Sequence, residues 1–298
     1  MRKHPVIFGV LILLVFGALL YLSLYKAGLN SGKGRGFSLR DKIGVVNVEG
    51  IISNSVEITE QLDEFGRDDS IIAVVLRVDS PGGGVAASQE IYDAVIELKK
   101  TKKVVVSMGS IAASGGLLVA CAADKIVANP GTITGSISAI MHFANFEELL
   151  KKVGVKSAVV KSGKYKDMGS PFRDMTAEEK VIVQDLVDDI YNQFVDVIAK
   201  ERKLPRERVI EIADGRVFSG RKAKELGLVD YLGDMATAAK LAGKLAGREG
   251  KYDLVYPSKK RFSVFDFLTD EAASKISSSL KEKLESKSGL SYLYYPGR

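Results

Sequence analysis

The chain is poor in the residues that hydrolases and metal sites most often use. Of its 298 residues one is cysteine and two are histidine. A single cysteine excludes an internal disulfide framework. Cys121 sits in an apolar run, which points to a buried structural thiol rather than a nucleophile. His4 lies ahead of a long apolar segment, so only His142 could serve a Ser-His-Asp triad. Its neighbours Met141 and Phe143 suit a core or helix-entry position instead. Two histidines and one cysteine do not make a usual zinc set, which leaves only an all-carboxylate arrangement for a metal. Neither G-x-G-x-x-G nor a glycine loop ending in G-K-[ST] occurs, which speaks against phosphate binding. No cofactor or metal is expected.

Surplus charge is also missing from most of the chain. The net charge is +6, and residues 1–42 alone hold seven basic side chains and one acid, Asp41. Residues 43–298 are therefore balanced, and nucleic-acid binding loses its main support. What the N-terminus does have is a run without any charge, Pro5 to Tyr25. At about 1.5 Å per helical residue it is roughly 30 Å long, one bilayer core. It is too long for a signal-peptide core, and no A-x-A-like site closes it, so an uncleaved anchor is expected. Residues 26–42, rich in Gly, Ser and charge, read as a flexible linker.

The body, 43–256, alternates strand-like and helix-like stretches. Strands are expected at 43–48, 71–78, 104–107 and 157–160, from short β-branched runs. Helices are expected at 85–100, 117–123, 146–153, 176–203 and 205–214, and another is capped by Ser219 and stopped at Gly227. Thr176 and Glu179 form a capping box, and apolar positions from Val183 to Ile198 step by three and four, as on a buried face. Such alternation argues for βαβ units and a mainly parallel sheet.

Two stretches carry chemistry. Lys103–Ile140 contains a β-branched strand, then Ala112-Ala113-Ser114-Gly115-Gly116, then an apolar helix. A serine at such a turn can meet a substrate backbone, and the glycine after it lets an amide face an oxyanion. The same residues would also serve as a tight βα connection with an N-cap serine. Asp79-Ser80-Pro81-Gly82-Gly83-Gly84 reads as a sharp turn whose amides suit an anion or an oxyanion, or as plain structure. With histidine scarce, a base for Ser114 falls to lysine, and 161–170 offers Lys161, Lys164 and Lys166. A free lysine, with pKa near 10.4, is neutral in about one molecule in a few thousand at pH 7, so burial would have to lower it. Spacing alone does not choose among the three.

Taken together these pieces resemble the signal peptide peptidase A family of membrane-bound serine proteases. The resemblance runs from about Ile43 to Gly233. It rests on Asp79–Gly83, Ala112–Gly116, Ala122-Ala123-Asp124-Lys125-Ile126, Thr134-Gly135-Ser136, Lys166-Asp167 before Ser170-Pro171, and Arg216-Val217-Phe218-Ser219-Gly220 before Glu225–Asp230. It implies a Clp protease/crotonase-like α/β fold, a β-spiral with flanking helices, here preceded by one transmembrane helix. It implies Ser114 as nucleophile, Lys166 as general base, Ser136 orienting the lysine, and the Gly83 and Gly115 amides as oxyanion hole. It further implies apolar peptide substrates such as signal-peptide remnants, a homo-oligomeric ring, and a catalytic body outside the cytoplasm. The basic residues after the span oppose that last expectation, because positive charge marks the cytoplasmic side. An idle scaffold of the same fold and a crotonase-like acyl-CoA enzyme are the other readings.

The tail, 257–298, loses these motifs. Asp270–Lys287 is expected to be helical. The last eleven residues, 288–298, are apolar-aromatic with one charged side chain, Arg298. They read as a frayed end, a subunit contact, or an extended strand held in the active site by β-addition, competing with substrate or trimmed there.

Overall fold

The computed structural model describes residues 13–19, 21, 41–257 and 290–293. It divides into two compact units, 1–40 and 41–298. In the first, residues 13–19 and 21 are helical. Among the described residues no helix is long and apolar enough to cross a membrane. Most of the expected anchor, 5–25, the linker and the expected tail helix at 270–287 lie outside the described residues.

The second unit is built on a mostly parallel sheet. Its strands are β1 (Lys42–Ile52), β2 (Ile71–Gly84), β3 (Lys103–Ala113), β4 (Lys125–Ala128), β5 (Ile133–Gly135), β6 (Ile140–Met141), β7 (Val217–Ser219), β8 (Tyr231–Leu232), β9 (Asp253–Val255) and β10 (Leu290–Leu293). Helices are α1 (Val56–Arg67), α2 (Val85–Leu98), α3 (Gly115–Cys121), α4 (Glu147–Lys152), α5 (Ala177–Arg202), α6 (Arg206–Ile210), α7 (Gly220–Glu225) and α8 (Met235–Leu245). The main path of the sheet runs β6-β10-β2-β3-β4-β8, with β1 also on β2 and β5 also on β3.

The β-branched runs are explained by burial on both faces. Val74, Leu76, Val104 and Val106 face one core cluster with α2 and α3, through Ile91, Val95, Leu117 and Leu118. Ala73, Val75 and Val105 face a second with α8, through Ala238, Ala239 and Ala242. Small alanines on α8 let that helix lie close to the sheet.

Several expectations change. The glycine stretch after Asp79 is no separate turn: β2 continues through it to Gly84, with Gly82 at φ +99°. No strand forms at 157–160; residues 155–161 are irregular and exposed, and no strand among the described residues pairs with them. The helix expected at 205–214 is only the five residues of α6. The Thr176 capping box is present, with Glu179 buried, but the buried apolar residues of α5, Phe194, Val195 and Ile198, all lie in its C-terminal half, while Leu186 is exposed.

Candidate active site

The site forms where two chain reversals meet at the ends of β3 and β5, beside the end of β2. β3 pairs with β5 so that Ala113 faces Gly135. One residue further on each strand lie Ser114 and Ser136, both turned into positive φ, at 54° and 52°. Among the described non-glycine residues only Lys203 shares that sign, and it ends α5 as a left-handed cap. Holding a serine there costs about 1–3 kcal/mol, a strain characteristic of functional turns. Backbone bonds hold both reversals: Ser114 N–H donates to Gly135 O at 2.8 Å, and Ser136 N–H to Arg216 O at 2.8 Å. Thr134 supports the second by donating its hydroxyl to Ala112 O at 2.6 Å.

Ser114 is 1 % exposed. Its Oγ is the one buried side-chain polar atom among the described residues without a hydrogen-bond partner. Leaving such a group unpaired costs about 1–3 kcal/mol, which folded proteins rarely retain without a use for it. The hydroxyl is also not used as a helix cap. The plain N-cap reading of this serine therefore fails.

Glycines around Ser114 are there because backbone comes too close for a side chain. A Cβ on Gly83 would stand 2.1 Å from Ile52 O, and one on Gly116 would stand 2.8 Å from Ser80 O. A Cβ on Gly115 would meet Ser88 Oγ at 2.5 Å and the Gly83 nitrogen at 3.3 Å. The amide of Gly83 thus lies beside Gly115, immediately after the serine. Fixed amides at such a place can stabilise a developing oxyanion.

Ser80 supports this arrangement and was hidden in the sequence, where it looks like a turn residue. It is fully buried; its Oγ donates to Gly50 O at 2.5 Å and accepts from Gly82 N–H at 3.1 Å. One hydroxyl so ties β1 to the glycine run. Asp79 accepts from Ile111 N–H at 3.0 Å and ties the same run to β3.

The three lysines of 161–170 separate by partner. Lys161 is paired with Asp167. Lys164 is paired with Glu178, whose carboxylate raises the lysine's pKa further above its ordinary value. Lys166 is exposed, and its amine has no side-chain partner among the described residues. No hydrogen bond joins it, or His142, to Ser114 within the chain. Next to Lys166, Asp167 is gripped by Arg173, whose Nε and Nη2 each donate to it at 2.9 Å. The same guanidinium donates to Glu179 Oε2 at 2.8 Å.

Cys121 is fully buried, and desolvation pushes its thiol up to about 12, which suits packing and not attack. Among the described residues no cluster of His, Cys, Asp and Glu could hold a metal.

Above the site the sheet carries one more strand. β10 lies antiparallel to the end of β2, with Tyr292 opposite Gly83 and Ser291 opposite Gly84. On its other edge Ser291 faces Ile140 and Leu290 faces Met141 of β6. The strand also lies against α3, the helix that follows Ser114. Beside β6 opens a cavity of about 630 Å³, lined by Ile140, Met141, Phe143, Met175, Val183 and Val187 with a few polar groups.

The model of peptidase family S49 matches residues 96–249, and that of Clp protease matches residues 41–132. A putative protease of Synechocystis sp. is 46 % identical over 212 residues, 70 % of this chain and 76 % of its own. A putative signal peptide peptidase SppA of Enterococcus faecium is 41 % identical over 174 residues, 58 % of this chain and 51 % of its own. The chloroplastic serine protease SPPA of Arabidopsis thaliana is 33 % identical over 253 residues, 80 % of this chain and 37 % of its own. The chain thus spans three quarters of the first relative but about half or less of the other two. The S49 match covers more than half of the chain and includes the strained serines, Gly115, Gly116 and the lysine loop, while Gly83 falls within the Clp protease match: the chain belongs to peptidase family S49, the signal peptide peptidase A serine proteases.

Proposed function

We propose that this serine protease is a membrane-anchored endopeptidase that cuts apolar peptides, such as signal-peptide remnants, with a Ser-Lys dyad. The observation that carries the reading is the unpartnered hydroxyl of Ser114, held under strain beside the Gly83 and Gly115 backbone. Ser114 attacks the peptide carbonyl. A neutral Lys166 takes its proton and returns it to the leaving amine, and Ser136 orients the lysine. The Gly83 and Gly115 amides receive the oxyanion, and water then hydrolyses the acyl-enzyme. Lys161 and Lys164 are each engaged by a carboxylate, Asp167 and Glu178, and the bond to Glu178 raises the Lys164 pKa, so neither is the better candidate for the base.

The base reaches the nucleophile in a homo-oligomeric ring. Lys166 is exposed on a loop that follows an unpaired, exposed segment with Val159 and Val160. A neighbouring copy packed there would bury both the valines and a lysine, and burial favours the neutral amine. An extended peptide fits between β2 and β6 as β10 does, which supports strand addition as the binding mode, and the apolar cavity beside β6 suits apolar side chains. The occupied slot is the strongest argument against an idle scaffold or a thioester enzyme. Residues 5–25 anchor the chain, with the body outside the cytoplasm.

A membrane-impermeant fluorophosphonate probe tests nucleophile and side together. Intact spheroplasts should yield Ser114 labelled, and Ser114→Ala should not be labelled. Labelling only after lysis would place the body in the cytoplasm, as the basic linker suggests. No labelling in either state would remove Ser114 as the nucleophile.

A further inference from the structure

The lysine loop is not held by packing, because residues 161–166 are all exposed. Two ties bind it to helix α5: Lys164 and Tyr165 both donate to the exposed Glu178, and Arg173 reaches the buried Glu179. Arg173 spreads its guanidinium between two carboxylates, with Asp167 on one side and Glu179 on the other. Asp167 directly follows Lys166. Glu179 is 2 % exposed and closes the capping box of α5, accepting from Thr176 N–H at 2.9 Å. Arg173 also donates to the carbonyl oxygens of Asp167, at 3.3 Å, and Asp174, at 2.9 Å. These contacts run without a break from the first turn of α5 to the backbone of the residue after Lys166.

We infer that Arg173 is a positioning residue for catalysis: through Asp167 it fixes the backbone at Lys166, and so the place of the amine, relative to helix α5. The inference rests on Lys166 being the base. The chemistry requires a planar fork. Two carboxylates on opposite sides of one cation can both be bound with defined direction by guanidinium, whereas a lysine ammonium is a point charge that fixes neither. The charged groups around the loop are Lys161, Lys164, Glu178, Asp167, Glu179 and Arg173. Lys161 pairs with Asp167, and Lys164 and Tyr165 bind Glu178 at the exposed side of the first turn of α5, so Arg173 is the tie that runs from the residue after Lys166 to the buried Glu179. Positional error matters because displacing a catalytic group by about 1 Å can cost on the order of a hundredfold in rate.

The test uses the full-length protein and its Arg173→Gln, Arg173→Lys and Asp167→Asn variants. Arg173→Gln should lower kcat at least about tenfold while KM moves less than about twofold, since orientation is lost and binding is kept. The acid limb of the pH–rate profile should shift, because the amine no longer sits in one environment. Arg173→Lys should restore little. Arg173→Gln combined with Asp167→Asn should cost no more than about the larger single effect, as expected for two ends of one contact. Hydrogen exchange at residues 163–169 should accelerate in all three variants. Faster exchange with kcat and the pH profile unchanged would overturn the proposal, leaving Arg173 as a structural tie only. Unchanged exchange would overturn it as well. If Lys166→Ala is itself active, the base assignment falls, and the exchange result still reports whether the clamp exists.

Discussion

At the scale of single residues, the site follows from where side chains are forbidden. Gly83, Gly115 and Gly116 stand where a Cβ would collide with backbone or a buried hydroxyl, and the run of small residues around Ser114 made that crowding legible in the sequence. Ser80 was not legible, since a serine before proline and glycine has the composition of any turn. Its function depends on Gly50, which is 30 positions away in sequence. Nor could spacing choose among Lys161, Lys164 and Lys166; what separates them is which carboxylate the fold brings to each. The consequence is testable. Lys166→Ala should reduce kcat by at least about a thousandfold, as loss of a member of a catalytic unit does, whereas Lys161→Ala and Lys164→Ala should keep most activity. The wild-type rate should climb with pH between about 6 and 9, since only a neutral amine accepts a proton. A flat profile over that range would count against a lysine base.

At the scale of elements, legibility tracked burial. β2 and β3 are covered on both faces and appear as β-branched runs, so their positions were readable. The stretch 157–160 has similar composition but no strand beside it among the described residues, and β-branched residues without a partner do not make a sheet. Helix α1 went unseen because its charged sequence buries only Leu62 and Phe65, and β5 and β6 are too short to show a period. The start of α5 was readable from the Thr176 capping box, yet the element-level feature that matters is the Arg173 clamp to which Glu179 belongs. That clamp has a pH window. Glu179 is held at about 2 against an ordinary 4.5, chiefly by its bonds from Arg173 and the Thr176 backbone, and Asp167 is likewise lowered, first by Arg173 and then by Lys161. Both folded-state values lie below the unfolded ones, so their stabilising effect is complete above about pH 4.5 and fades as pH falls toward 2. The melting temperature of the wild type should therefore drop faster across pH 4.5 to 2 than that of Arg173→Gln, whose carboxylates have lost their cation. Parallel curves for the two proteins would show that the clamp adds nothing to stability.

At the scale of the whole molecule, two features depend on what the chain meets beyond its own core. One is the ring. If Lys166 serves the Ser114 of a neighbour, then Ser114→Ala and Lys166→Ala proteins, each inactive alone, should recover roughly a quarter of wild-type activity when refolded together, because that share of sites pairs an intact serine with an intact lysine. Mixtures as dead as their parents would put both groups in one chain. The other is the tail, which the sequence showed only as an apolar end with three possible fates. Its strand β10 takes the antiparallel place beside Gly82–Gly84 and β6 that an extended substrate would need, with Tyr292 opposite Gly83. Backbone pairing of this kind is indifferent to whose backbone it is, so a peptide that binds by strand addition here would compete with the tail. The tail is at high effective concentration because it is tethered, and removing it frees the slot without touching Ser114. A chain ending at residue 287 should hydrolyse an apolar peptide with a KM at least about threefold lower and an unchanged kcat, because a tethered competitor raises apparent KM alone. Ser114 should also react faster with the fluorophosphonate, and added peptide of residues 288–298 should slow that reaction again. If truncation alters neither KM nor the labelling rate, β10 is no competitor for substrate.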